Sequence, residues 1–272
     1  VFSPYYAGAR RRGEADPTNH VSINAILYTP RGKYWAMTER ARPALDRSAN
    51  HLAIGPSAWS WQDRRITIDI NEWAAPLPRR MRGRVTIDPG PVFERTWRLD
   101  GHGHHLWRPI APCATVSVAF DKPGLDWTGR AYVDTNRGEE PLETCFSRWN
   151  WSREDRGTST RILYDVATAS GGEHSLALEY RADGTCGPFE PGAREPLRRT
   201  GWRVPRETWS TPDRPVRVLR ALEDTPFYSR SLLGFGRVGE ETRSIHESVD
   251  FSRFRAGWVQ ALLPFRMPRK AW

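Results

Sequence analysis

Chemistry in this chain concentrates between Gly101 and Arg137, which read GHGHHLWRPIAPCATVSVAFDKPGLDWTGRAYVDTNR. In an extended chain, side chains two apart share a face, so His105 falls in with Trp107 and Tyr132 with Asp134. A carboxyl among aromatic rings suits acid chemistry on a hydrocarbon. Burial among apolar groups raises a carboxyl pKa from its reference of about 3.9 by up to about 3–5, enough to keep Asp134 protonated as a donor. The faces of Trp107 and Tyr132 would stabilise a carbocation by about 1–2 kcal/mol without capturing it. With a reference pKa of about 6.5, His105 would accept a proton or orient a water; equally, it would hold Asp134 or Tyr132 by a hydrogen bond. The plainer reading makes Asp134 the cap of the DTNRG turn and the rings ordinary core. A metal reading of HGHH, with His102 and His104 beside His105, lacks a carboxylate or thiolate at a familiar ligand spacing, so no metal is expected.

Short strands would have to position these groups. Val21, Ile23, Ala25 and Leu27 alternate with Ser22, Asn24 and Ile26, and a turn at Pro30–Gly32 leads into KYWAMTER. Residues 39–54, interrupted by Pro43, fit a short helix or an ordered loop. Trp59 with Trp61, and Ile66 with Ile68 and Ile70, predict two strands about a polar turn at Gln62–Arg64. MRGRVTIDPG and VFERTWRLDG read as a further hairpin. Val116, Val118 and Phe120 alternate, as do Leu176, Leu178 and Tyr180 after RILYDVA. Gly, Pro and charge collect at Asp183–Arg199, which marks a crossing between a domain of residues 1–188, carrying the site, and a smaller β module of 189–272. Beyond it, GWRVPRETWS and RPVRVLRALED predict strands, PFYSRSLLGFG an irregular aromatic loop, and FSRFRAGWVQALLPFRM either a helix or a strand. The pattern predicts an all-β protein, an antiparallel barrel or sandwich with little helix.

Composition narrows the function classes. The 272 residues include 13 Trp, which would line an elongated apolar cavity well. No apolar run of about 18 residues exists to cross a bilayer, so the chain reads as soluble or peripheral. The net charge of +9 comes almost wholly from arginine, only Lys33, Lys122 and Lys270 being lysines. Without an accompanying motif it does not indicate nucleic acid. Arg10–Arg12 and Arg79, Arg80, Arg82 and Arg84 are the clusters that would meet anionic headgroups. Glu143, Glu223, Asp224 and Glu247 are left to pair with arginines. Cys113, Cys145 and Cys186 are odd in number and widely spaced, which predicts a reducing compartment and no disulfide scaffold. VFSPYYAGARRR is no signal peptide, and the chain is expected to lack its true beginning.

Across nearly its whole length the chain resembles the carotenoid 1,2-hydratases, or hydroxyneurosporene synthases, of purple photosynthetic bacteria. The blocks that carry the resemblance are VFSPYYA, NHVSINAILY, WAMTER, LAIGPSAW, APLPRRMRGRV, HLWRPIAPCA, YVDTNRGEEPLE, FSRWNWSR, ILYDV, LEDTPFYSRSLL and HESVDFSRFRAGWVQALLPFRMPR. It implies a lipocalin-like fold, often of two modules, preceded in relatives by a segment with a Trp-Trp-Tyr strand that is not found here. It also implies cofactor-independent addition of water to the terminal C1=C2 bond of acyclic carotenes such as neurosporene or lycopene. The residues regarded as catalytic in that family fall on His105, Trp107, Tyr132 and Asp134, with Asp134 as the acid. A substrate dissolved in membrane implies peripheral attachment to the cytoplasmic or intracytoplasmic membrane, with Phe227, Tyr228, Phe235 and the arginine clusters as rim and Trp127, Phe227 and Tyr228 as substrate contacts. A polyene carrier without catalysis, or a cyclase or isomerase on the same fold, remains open, because fold does not fix function.

Overall fold

A computed structural model describes residues 2–270 as strands joined by tight turns, with short helical segments near the two ends and at Leu142–Cys145. The architecture is the expected all-β, antiparallel one. Its two compact units interleave along the chain: residues 1–89, 114–131 and 260–272 form the first, and residues 90–113 and 132–259 the second. Residues 188 and 189 both lie in the second unit. Among the described residues no helix is long and apolar enough to cross a membrane.

The first unit holds a seven-stranded sheet in the order Gly124–Arg130, Thr115–Lys122, Arg80–Asp88, Arg65–Trp73, Ser57–Gln62, His51–Ile54, Leu45–Arg47. Ile66, Met81, Val116, Val118 and Phe120 are buried on it. The turn between Gln62 and Arg65 has two residues, Asp63 and Arg64, both at positive φ (48° and 60°), the twist that a two-residue hairpin needs. Val21–Thr29 and Gly32–Arg40 form a hairpin, with Arg269–Lys270 running parallel to its second strand. Three short elements fill residues 42–54: a 3-10 turn at Arg42–Ala44 and the paired strands Leu45–Arg47 and His51–Ile54. Charges buried in this unit are paired, as burial requires: Arg40 donates to Glu72 (2.7 Å), and Glu39 accepts from Ser3 and Arg269 and meets His20.

The second unit holds the other seven-stranded sheet, ordered Cys186–Pro188, Glu173–Arg181, Ser159–Thr168, Phe146–Asp155, Thr242–Asp250, Tyr228–Phe235, Val216–Asp224. A three-stranded sheet (Val133–Gly138, His105–Ala111, Trp97–Arg98) and the hairpin Ala193–Pro196 with Glu207–Ser210 complete it. The hairpin expected from MRGRVTIDPG and VFERTWRLDG is absent. Arg80–Asp88 pairs with Arg65–Trp73 and Thr115–Lys122, while Trp97–Arg98 pairs with His105–Ala111. Pro89 and Pro91 explain this, since neither has an N–H to extend the ladder. PFYSRSLLGFG is a strand rather than a loop. Its buried positions include Ser229 and Ser231, part of a buried polar layer with Asn150, Ser152, Ser244, His246 and Ser248, so no apolar alternation betrays it. The Glu207–Ser210 hairpin bonds into that layer: His246 Nε2 donates to the Glu207 carbonyl (2.9 Å) and Trp209 Nε1 to Asp165 (2.9 Å). The segment after Asp250 is helical, at Phe251–Phe254 and Gly257–Leu262, the first turn capped by Asp250.

Candidate active site

Two neighbouring strands of the second unit bring the expected residues into range. His105, Trp107, Pro109 and Ala111 are the buried positions of one. Asp134 lies opposite Pro109, Asn136 opposite Trp107 and Gly138 opposite His105 on the other, and the register shifts between Val133 and Asp134. Such an irregularity re-aims a side chain. Here it accompanies the convergence of Tyr132, just before the strand, on the carboxyl two residues later.

Trp107 Nε1 donates to Asp134 Oδ2 at 2.7 Å, and the Tyr132 hydroxyl donates to the same oxygen at 2.9 Å. Trp107 is fully buried. Asp134 and Tyr132 each keep part of their surface open, as they must if a substrate is to reach them. Around them stand Tyr164, edge-on to Trp107 with ring centres 5.2 Å apart, and Trp151, 5.3 Å from the Tyr132 ring. Tyr164 and Trp151 continue as a row across four strands, in register with Glu247 and then Arg230. Arg230 grips Glu247 Oε1 with Nε at 2.9 Å and Nη2 at 2.6 Å, so this carboxylate does have its arginine.

Burial is the largest influence on Asp134 and raises its pKa; the Trp107 and Tyr132 hydrogen bonds pull the other way, and the charge of Glu247 adds to the rise. The net direction is upward, toward the neutral acid. Burial, then the neighbouring Asp134, holds the Tyr132 phenol well above its usual value, so it remains a donor. Both donors reach Oδ2, and neither of these bonds occupies Oδ1.

His105 makes its bonds elsewhere. Its Nδ1 meets Asp100 Oδ2 at 3.1 Å and its Nε2 meets the Glu140 carbonyl at 3.1 Å. Both partners are acceptors, one a carboxylate oxygen and the other a backbone carbonyl. Gly138 leaves the space the ring occupies, for a Cβ there would lie 2.7 Å from His105 Cδ2. Asp100 is saturated by backbone donors, from His102 (2.9 Å) and His104 (3.1 Å) to Oδ1 and from His105 (2.7 Å) to Oδ2. His105 therefore ties the turn before its own strand to the segment after Gly138, and it steadies the pair of strands that carries the site. Asp100, His105 and Cys145 have ligand-type atoms within 4.8 Å of one another, the one such trio among the described residues. The carboxylate is already filled by hydrogen bonds, and burial, with Asp100 and Glu140 nearby, pushes the Cys145 thiol up to about 11. Within the trio Asp100 and His105 hold each other.

The remaining expected contacts are dispersed. Trp127 stands on the edge strand of the first unit's large sheet, 44% exposed, opposite Val118. Phe227 is buried, its ring centre 5.1 Å from that of Phe254. Tyr228, partly exposed, begins its strand with the Arg230 guanidinium 6.0 Å from its ring centre. Trp151, Tyr164 and Arg230 escape a local reading of the sequence. The alternation of Trp149 and Trp151 in FSRWNWSRED is the one signal that could have placed an aromatic wall there.

A family model described as Carotenoid hydratase CrtC matches residues 1–272. An acyclic carotenoid 1,2-hydratase of Thiocapsa roseopersicina is 48% identical over 270 residues, covering 99% of this chain and 67% of that protein. One from Rubrivivax gelatinosus is 41% identical over 274 residues, covering 100% and 68%. Among solved structures, an AttH-type protein from Nitrosomonas europaea superposes with a TM-score of 0.54 at 13% identity, over 85% of this chain and 91% of the other, a likeness of fold.

Proposed function

Because the chain belongs to the carotenoid hydratase CrtC family, we propose that it adds water to the terminal C1=C2 bond of acyclic carotenes such as neurosporene or lycopene, with Asp134 as the acid. The observation that carries this reading is a buried carboxyl whose one oxygen is held by Trp107 and Tyr132 while its pKa is driven upward. Protonation of C2 by Asp134 leaves a tertiary cation at C1, which water captures. The cation lies against aromatic faces, where a desolvated ring supplies about 2 kcal/mol or more. Incubation with lycopene in liposomes in 18O-water is expected to yield a 1-hydroxy product carrying the label. Labelled alcohol separates hydration from cyclisation or isomerisation, and tight binding with no product would instead mean a carrier.

The substrate's solubility places this reaction at a membrane surface, and the reading includes peripheral attachment on the cytoplasmic side. Support comes from the first unit, where Trp73 and Leu77 are 48% and 68% exposed. Arg80 lies 5.0 Å from the centre of the Trp73 ring, and Arg79 4.0 Å from that of Tyr34. Basic and aromatic side chains together suit an anionic interface. Arg82 and Arg84 are taken up by Asp121 and Asp69, and the expected rim residues Phe227 and Phe235 are buried, so those four do not contribute. Replacing Arg79 and Arg80 together by Gln is expected to weaken binding to anionic liposomes by about 30-fold, at about 1 kcal/mol per charge. Co-sedimentation measures it, and unchanged partition would remove this surface from the reading.

A further inference from the structure

Hydration needs two proton movements, and the acid accounts for one. Once water has bonded to C1 it must lose a proton, or the cation returns to a hydrocarbon. His105 is not placed to receive it, because its ring nitrogens are turned to Asp100 and to the Glu140 carbonyl. The four-strand row beside the site offers another. Glu247 sits directly across from Trp151, whose ring meets Tyr132, and next to Arg230 on its other side. The Trp151 Nε1 hydrogen is buried without a partner, a donor free to hold a water oxygen between the rings and that carboxylate. Among the described residues Arg230 donates to Glu247 Oε1 through both Nε and Nη2, and neither of these bonds occupies Oε2.

Building on the hydration reading, we propose that Glu247, fixed by Arg230, is the general base that takes the proton from the attacking water, oriented by Trp151 Nε1. The water O–H bond breaks as its oxygen bonds C1, the proton passes to Glu247 Oε2, and the tertiary alcohol leaves neutral. Asp134, now a carboxylate, is reprotonated from solvent, as Glu247 is deprotonated to it, so the sum is alkene plus water to alcohol. Two carboxyl groups in one site thus take opposite roles because their surroundings differ: Asp134 sits among rings, Glu247 against a guanidinium.

Glu247→Gln keeps an acceptor for Arg230 and removes the base. With lycopene in liposomes in D2O, it is expected to lower alcohol formation by about 100-fold. Protonation still proceeds, so the stranded cation gives a methyl proton back to the Asp134 carboxylate, and the hydrocarbon fraction gains a deuterium at C2 with its double bond moved to a methyl carbon. Glu247→Asp, which restores a carboxylate, and added formate with the Gln variant should each recover part of the alcohol. Alcohol formation at the parent rate in Glu247→Gln overturns the proposal. So does loss of alcohol and deuterium together in a variant whose circular dichroism and unfolding match the parent. Asp134→Asn run in parallel keeps the two readings apart: it should abolish alcohol and deuterium alike, and full activity there would sink the hydration acid while leaving the base assignment to the Glu247 variants.

Discussion

Asp134→Asn is expected to lower kcat for hydration by about 100- to 10,000-fold while leaving the protein folded, the span set by losing a positioned general acid. Asn has the same shape, and its amide oxygen can still accept from Trp107 Nε1 and Tyr132, so the local bonds survive. What it lacks is a transferable proton. The parent should also show an alkaline limb in kcat/KM, because the working form is the neutral acid and burial displaces its ionisation above the ordinary carboxylate range. Stability gives an independent check, with a defined sign. A carboxyl whose folded pKa lies above its unfolded one contributes stability in full below the unfolded value and loses it as pH rises through the folded value. Asn cannot ionise. Urea unfolding at roughly pH 4 and pH 8 should therefore show the variant gaining on the parent toward the higher pH. A parent as active with Asn, or a gap that does not move with pH, would mean that the carboxyl is neither the proton source nor held neutral.

The pairing of side chains two apart made Trp107, Tyr132 and Asp134 legible as candidates, since alternation in a strand is a local property, and the structure joins them by hydrogen bonds. His105 was legible as a buried, polar member of the same face, but its partners were not: Asp100 lies in the preceding turn, and the Glu140 carbonyl comes from a segment 35 residues later. Trp151, Tyr164, Glu247 and Arg230 come from four strands and meet through register, which no spacing in the chain encodes. The same distinction runs through the fold. Apolar alternation announced Val21–Thr29 and Thr115–Lys122, whereas the Tyr228–Phe235 strand buries serines and was invisible to it. The interleaving of the two units left no mark that composition could reveal: the Gly- and Pro-rich stretch at Asp183–Arg199 lies in one unit, holding strands of its own at Cys186–Pro188 and Ala193–Pro196.

Trp107→Phe should lower kcat by about 10- to 100-fold, the equivalent of a hydrogen bond to a charged group at about 1.5–3 kcal/mol. Phe keeps a ring packed in the buried site beside Tyr164, so the loss isolates Nε1–H. That donor matters most after the proton has left: negative charge then appears on the carboxylate, and two fixed hydrogen bonds to Oδ2 receive it, an interaction stronger in the transition state than before it. Its removal also shifts titration in a set direction. The indole hydrogen bond favours the ionised carboxyl, so without it Asp134 ionises at higher pH, and the alkaline limb should move upward while the maximum rate falls. A variant that is merely misfolded would lose rate without moving the limb. Trp107→Ala provides the contrast, because emptying a fully buried indole site costs about 3–5 kcal/mol of stability, read as a lower urea midpoint. Should Phe leave the limb where it stands in the parent, the indole does not touch the carboxyl during catalysis, and Tyr132 alone would carry the charge left on Oδ2.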